Sequence, residues 1–327
     1  MDRPWRRAAA LGLTITVAVS GGALAVGDAT LRVERWLAPD ADLARVLGQT
    51  PTECLTPASD PETTYRIEVG RAAFRSPLLL GGQAARAGLA CESCHQEGRS
   101  NPDFQFPGVS GPPGTADVTS SLFSSHRGDD LHNPRAIPDL SGPAAGLKVS
   151  RETDARALQG FVHGLITEEF DGAQPPPQVL DGLVAYIRAL SPEACPASPT
   201  RALRVGDLIE DARRAVGAGL EASARGDTPT AVAMAQAARG RLGLIFERYE
   251  QPGLAAERAA LSKADADLAL VLVRLRRNDP RAATGMRVWL LRSDRLGQRL
   301  AESESRSLFD PLRLAALARP RAAVVVK

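Results

Sequence analysis

Of the four cysteines in the chain, two stand in the run Cys91-Glu92-Ser93-Cys94-His95. Two thiols three positions apart, followed at once by an imidazole, form the C-x-x-C-H attachment signature of c-type haem. Each thiol adds to a vinyl group of the porphyrin, and the two thioether bonds fix its edge. The next residue is then held beneath the iron, so His95 is the expected proximal ligand. A zinc site needs two further ligands at comparable spacing, and Cys54 and Cys195 are remote and unaccompanied by histidine. A thioredoxin-type redox pair needs a β-α-β setting, which the surrounding pattern lacks. The expectation is one covalently bound haem c held by Cys91, Cys94 and His95.

Candidates for the sixth iron position are few. The other histidines are His126, His132 and His163, and the internal methionines are Met234 and Met286. His126 and His132 flank Arg127-Gly128-Asp129-Asp130 in a loop, where a side chain can swing over a haem face. They are favoured over His163, which falls inside a helical stretch. A vacant or water-bound position stays open beside them, and so does Met234 or Met286. Bis-histidine ligation lowers the potential relative to His/Met, whereas an open iron binds peroxide or small gases. Phe104, Phe106, Pro107, Phe123, Ile137 and Pro138 are candidate apolar walls, with ordinary core as the blander reading. Arg127 or Arg135 could pair with the propionates, against the alternative of pairing with nearby acids.

The compartment follows from the N-terminus. Residues 1–27 read as a cationic start, an apolar run over 8–26 and the small-residue sequence Ala23-Leu24-Ala25, the pattern of a secretory signal. The run is 19 residues long and is broken by Thr14, Thr16, Ser20, Gly21 and Gly22. A cleaved signal and an uncleaved anchor in the inner membrane both stay open, and either places the protein in the periplasm. In that oxidising setting Cys54 and Cys195, which bracket residues 30–197, are expected to pair as a disulfide, with two free buried thiols as the alternative.

The pattern around the motif is helical. Tyr65–Phe74 precedes it. Residues 178–190 follow, with Val179, Leu180, Leu183, Val184, Ile187 and Leu190 at three- and four-residue steps. A third helix is expected at about 152–170. A small residue at Gly70 lets a second helix come close, as in class I cytochrome c domains, where the first and last helices cross near the haem edge. The run Gly70–Gly82 through Cys91–His95, with His132-Asn-Pro-Arg-Ala-Ile-Pro-Asp-Leu140, Glu168-Glu169-Phe170 and Leu183–Leu190, resembles one haem domain of the bacterial di-haem cytochrome c peroxidase family. That family includes enzymes that mature tryptophan-derived quinone cofactors. The resemblance covers residues 65–192 or so and implies a class I cytochrome c-like fold. It departs in two ways. This chain has one haem motif rather than two, and residues 140–153 lack the Met or His that serves the family as distal ligand.

Beyond Pro192, Pro196 and Pro199 the composition shifts to Ala, Arg and Leu. Thr228-Pro229, Gln251-Pro252, Asp279-Pro280 and Asp310-Pro311 read as helix starts. Helices are expected at 203–224, 229–250, 253–277 and 280–303, with a short fifth near 311–318. This gives an all-α chain: a signal or anchor at 1–27, a class I cytochrome c-like haem domain at 30–197 and an antiparallel bundle of about four helices at 200–320. Residues 28–197 carry 14 basic and 22 acidic side chains, and 198–327 carry 23 and 15. The basic bundle is therefore expected to meet the acidic haem domain, an acidic partner or an anionic membrane surface. Only Lys148, Lys263 and Lys327 among the 40 basic residues are lysine, a composition effect that implies no nucleic-acid partner. The expected function is electron transfer to an unidentified redox partner. The alternatives are a peroxidase-like enzyme with an open distal site, and a haem-based sensor or assembly factor.

Overall fold

The computed structural model describes residues 31–317 except 39, 130, 144, 145 and 153. The expected signal at 1–27 lies outside the described residues. Helices dominate, as the all-α reading expects, and the strands are short pairs.

The N-terminal half begins with α1 (Leu43–Gly48) and β1 (Gln49–Pro51), followed by α2 (Pro61–Phe74). Asp60 caps α2 by accepting from the backbone N–H of Thr63 at 2.8 Å, and Pro61 supplies the first helical residue. Next come α3 (Gly82–Ala87), the single turn α4 (Cys91–Cys94), and the small antiparallel pair β2 (Thr115–Ala116) and β3 (Arg135–Ala136). Helix α5 (Ala155–Gly164) runs on into a π turn at Leu165–Glu169, so the third expected helix is present with a widened end. Helix α6 (Pro177–Ala189) falls where the apolar spacing placed it.

The crossing of α2 and α6 is made by two glycines. A Cβ at Gly70 would lie 1.9 Å from the Gly182 carbonyl oxygen, and one at Gly182 would lie 2.8 Å from Gly70 N. Only hydrogen fits at either position, so the backbones touch. One turn further on, Phe74 and Tyr186 meet edge to face with ring centroids 5.2 Å apart.

Strand β4 (Thr200–Ala202) returns to pair antiparallel with β1, Thr50 opposite Arg201. Beside this pair Cys54 and Cys195 are joined in a disulfide. Four long helices follow: α7 (Val205–Ala224), α8 (Thr228–Arg248), α9 (Ala255–Arg276) and α10 (Arg281–Glu302). Each packs on the next, and α10 returns against α7. The start of α9 comes later than Gln251-Pro252 suggested, because Gly253 sits at φ +83° and holds residues 251–254 in a turn. Helix α11 (Pro311–Leu317) packs on α1.

One apolar core runs through both halves. Val69, Leu183 and Tyr186 from α2 and α6 belong to the same buried cluster as Val205, Ile209, Met234 and Trp289. Helix α2 packs directly on α7 and α8. The last helices thus cover one side of the segment that carries the motif.

Candidate functional site

Local chain geometry presents the motif. Helix α3 stops at Gly88 in the left-handed conformation (φ +81°), which turns Ala90 into extended backbone ahead of α4. His95 N–H donates to the Cys91 carbonyl at 2.8 Å, and the Asn101 side chain donates to the Ser93 carbonyl at 2.8 Å, which pins the turn. One helical turn brings Cys91 and Cys94 to the same side.

The imidazole of His95 is fixed from behind. Its Nδ1 lies 3.0 Å from the carbonyl oxygen of Pro138. A carbonyl only accepts, so Nδ1 carries the proton and the lone pair of Nε2 is left for a metal. Burial pulls the His95 pKa down to about 4, so the ring is neutral near pH 7. Burial likewise pushes both thiols up to about 12, and neither is a thiolate at rest.

The thiols border a second apolar cluster made of Trp36, Leu80, Leu89, Phe104, Phe123 and Ile137, with Phe106 and Phe170 at its edge. The rings of Phe106 and Phe123 are 5.3 Å apart, and those of Phe123 and Phe170 are 5.5 Å apart. Four of the six expected wall residues are therefore gathered beside the motif. Pro138 contributes its carbonyl instead, and Pro107 is exposed. Trp36, Leu80 and Leu89 were not expected there, because isolated apolar residues in irregular stretches carry no periodic signal.

The distal candidates are engaged elsewhere or exposed. His126 is largely exposed, with Nε2 4.0 Å from Asp171 Oδ1, and His132 is exposed. His163 on α5 is hydrogen-bonded through Nε2 to Gln174 Oε1 at 2.6 Å. Met234 and Met286 are fully buried in the core of the last helices. Among the described residues no hydrogen bond or ring contact joins any of the five to His95. Arg127 pairs with Glu168 at 2.5 Å and Glu169 at 3.5 Å, and Arg135 is exposed on β3.

The opposite side of α4 faces protein as well. The Arg75 side chain, 4% exposed, contacts four carboxylates: Glu97, Asp211 at 3.2 Å, Glu53 at 3.3 Å and Glu92 at 3.6 Å. Glu53 also accepts from Tyr186 Oη at 2.8 Å, and Glu92 Oε1 accepts the Glu97 N–H at 3.0 Å. Burial, reinforced by the Glu97 charge, raises the Glu92 carboxyl to about 8 in spite of Arg75. Burial pushes Asp211 the same way, but Arg75 and Arg241 outweigh it and hold the carboxyl below its ordinary value. A cavity of about 340 Å³ opens on this side, lined by Glu92, Ser93, Gln96, Glu97, Arg241 and Arg248 among others, and not by the thiols or His95. No local motif marked Arg75, because its partners come from positions 53, 92, 97 and 211.

The donor set separates two kinds of metal chemistry. Cys54 and Cys195 are used by each other, and among the described residues no three His, Cys, Asp or Glu side chains gather as a metal cage. Two thiols and one imidazole against aromatic walls suit a flat apolar group held at its edge and from one axial side. No protein-family model, curated protein or solved structure matches the chain.

Proposed function

We propose that the chain is an exported c-type cytochrome that binds one haem c and carries electrons, with its last four long helices forming a supporting bundle. The observation that carries the reading is the His95 Nδ1 contact with the Pro138 carbonyl, which aims an unprotonated Nε2 away from its own backbone while both motif thiols border an apolar wall. In this reading Cys91 and Cys94 hold the haem edge, His95 binds the iron, and Phe104, Phe123 and Ile137 keep water from it. The bound haem would supply a one-electron couple. The fold supplies a low-dielectric wall and a fixed imidazole orientation.

Export and a periplasmic location belong to the same proposal, since an oxidising compartment suits the Cys54–Cys195 bond. A peroxidase-like enzyme is the second reading. It is favoured by the His126 contact with Asp171 and by the burial of Met234 and Met286 in the core of the last helices, side chains that would otherwise be candidates for a second iron ligand.

Expression in a host competent in cytochrome maturation tests both. Intact mass should rise by one haem, and Cys91→Ser with Cys94→Ser should abolish the gain. A colourless product of bare polypeptide mass would sink the proposal. A low-spin spectrum unmoved by peroxide selects the carrier, and a high-spin spectrum that reacts with peroxide selects the enzyme.

A further inference from the structure

The outer side of α9 and α10 combines exposed arginines with exposed aliphatic side chains. Exposed positions on α9 include Ala266, Leu270 and Val273, with Arg277 capping its C-terminus, and those on α10 include Arg287, Leu291 and Arg295. Both sets recur at three- and four-residue steps, so each forms one stripe along its helix. The helices are neighbours: Trp289 Nε1 donates to the Ala264 carbonyl at 3.1 Å, and Arg292 pairs with Asp267 at 3.7 Å. The stripes therefore make one continuous face.

Charge on this face is unbalanced. Arg276, Arg277, Arg287, Arg295 and Arg299 are exposed, and none has a carboxylate within ion-pair distance among the described residues. The neighbouring acids are already engaged: Asp267 by Lys263 and Arg292, Asp279 by Arg281, and Asp294 by Arg213. Glu302 is the exception. Among these uncompensated arginines stand Leu291 at 76%, Leu270 at 47% and Val273 at 41% exposure. Free cations with interspersed aliphatic side chains match a surface whose headgroups are anionic and whose interior is apolar.

We infer that the outer face of α9 and α10 docks on an anionic phospholipid bilayer, with the arginines at the headgroups and Leu270, Val273 and Leu291 pressed between them. An acidic protein could meet the same charges, so it is the alternative occupant that the vesicle experiment separates from a bilayer. The inference does not depend on whether haem is bound.

Vesicle flotation of the full-length protein tests it, using pure phosphatidylcholine and the same lipid with phosphatidylglycerol added. The fraction that floats with pure phosphatidylcholine measures any contribution of the N-terminal segment and is subtracted. Binding to the anionic vesicles should be at least about tenfold stronger and should collapse at about 0.5 M salt, where screening is nearly complete. Each arginine near the surface is worth about a fivefold factor. Arg277→Glu with Arg287→Glu and Arg295→Glu should therefore lower binding at least about a hundredfold while the folded circular dichroism spectrum is kept. Leu291→Ser should weaken it by a smaller factor without changing the salt dependence. Equal binding to both vesicle types, or an undiminished triple variant, would overturn the inference and leave an acidic protein as the partner to seek.

Discussion

Arg75 Nη1 lies 3.2 Å from Asp211 Oδ1, and this pair ties the helix ahead of the motif to the first of the long C-terminal helices. The same guanidinium reaches Glu92 between the two motif cysteines and Glu97 just after His95. Removing one member of such a buried set leaves charges without partners, which costs about 3–5 kcal/mol. Arg75→Met should lower stability to denaturant by about that much, because Glu92 and Asp211 then lose their ion-pair partner, while Glu53 keeps Arg71 and Glu97 keeps Arg201. Asp211→Asn should cost less, since three carboxylates still face Arg75. Equal, small losses in both variants would show the cluster to be energetically idle.

Glu92 gives the cluster a pH signature. Its folded pKa of about 8 stands above the ordinary 4.5, so between these values the folded chain binds more protons than the unfolded one. The stability contributed by the protonated carboxyl is present at pH 4.5 and below and is lost as pH rises to 8. Glu92→Gln should therefore gain on the parent protein steadily across that window. Glu97, also raised, repels the Glu92 charge, so removing that charge eases its ionisation and adds to the gain in the same direction, and the lowered Asp211 acts only at more acidic pH. Urea unfolding at half-unit steps of pH reads the difference, and parallel curves would rule out a buried, protonated Glu92.

The contact of Gly70 with Gly182 admits no side chain. Gly70→Ala should force α2 and α6 apart, at about 1–3 kcal/mol or more, the ordinary cost of overpacking. Phe74, whose ring lies 6.5 Å from that of His95, moves with α2, so on the proposed haem-binding reading the yield of haem-loaded protein should fall alongside the melting temperature. Gly164→Ala is the control, since nothing lies within 4 Å of a Cβ built there.

Breaking the disulfide releases a long loop. Chain-entropy estimates give about 5 kcal/mol for a loop of this size. Cys54→Ser with Cys195→Ser should approach that loss as an upper bound. Thiol titration of the unfolded, unreduced haem-free parent should find two reactive groups, Cys91 and Cys94, rather than four. Four would contradict the pairing.

Helix positions were legible in the sequence wherever apolar residues recur with helical period, as in 178–190 and in the long C-terminal run. Boundaries were legible where a cap and a proline coincide, as at Thr228-Pro229 and Asp310-Pro311. They failed at Gln251-Pro252, where the left-handed Gly253 decides the local path and proline alone does not. The motif and its disulfide bracket could be read because cysteine chemistry is carried by residue type and spacing. The Pro138 contact, the Trp36 wall and the Arg75 cluster could not. Each joins positions far apart along the chain, through side chains that obey no local period. The continuous core between the two halves was hidden for the same reason, since the contact of α2 with α7 leaves no mark on either helix alone.

The bond between Cys54 and Cys195 also has a mechanical side. A load applied from points outside the loop runs through the sulfur bridge and bypasses the 141 positions that separate its ends. Under tension only chain outside the bridge can extend, while about 480 Å of contour length is held behind it. The turn bearing Cys91 and His95 is thus sheltered from stretching of the rest of the molecule until a reductant opens the loop.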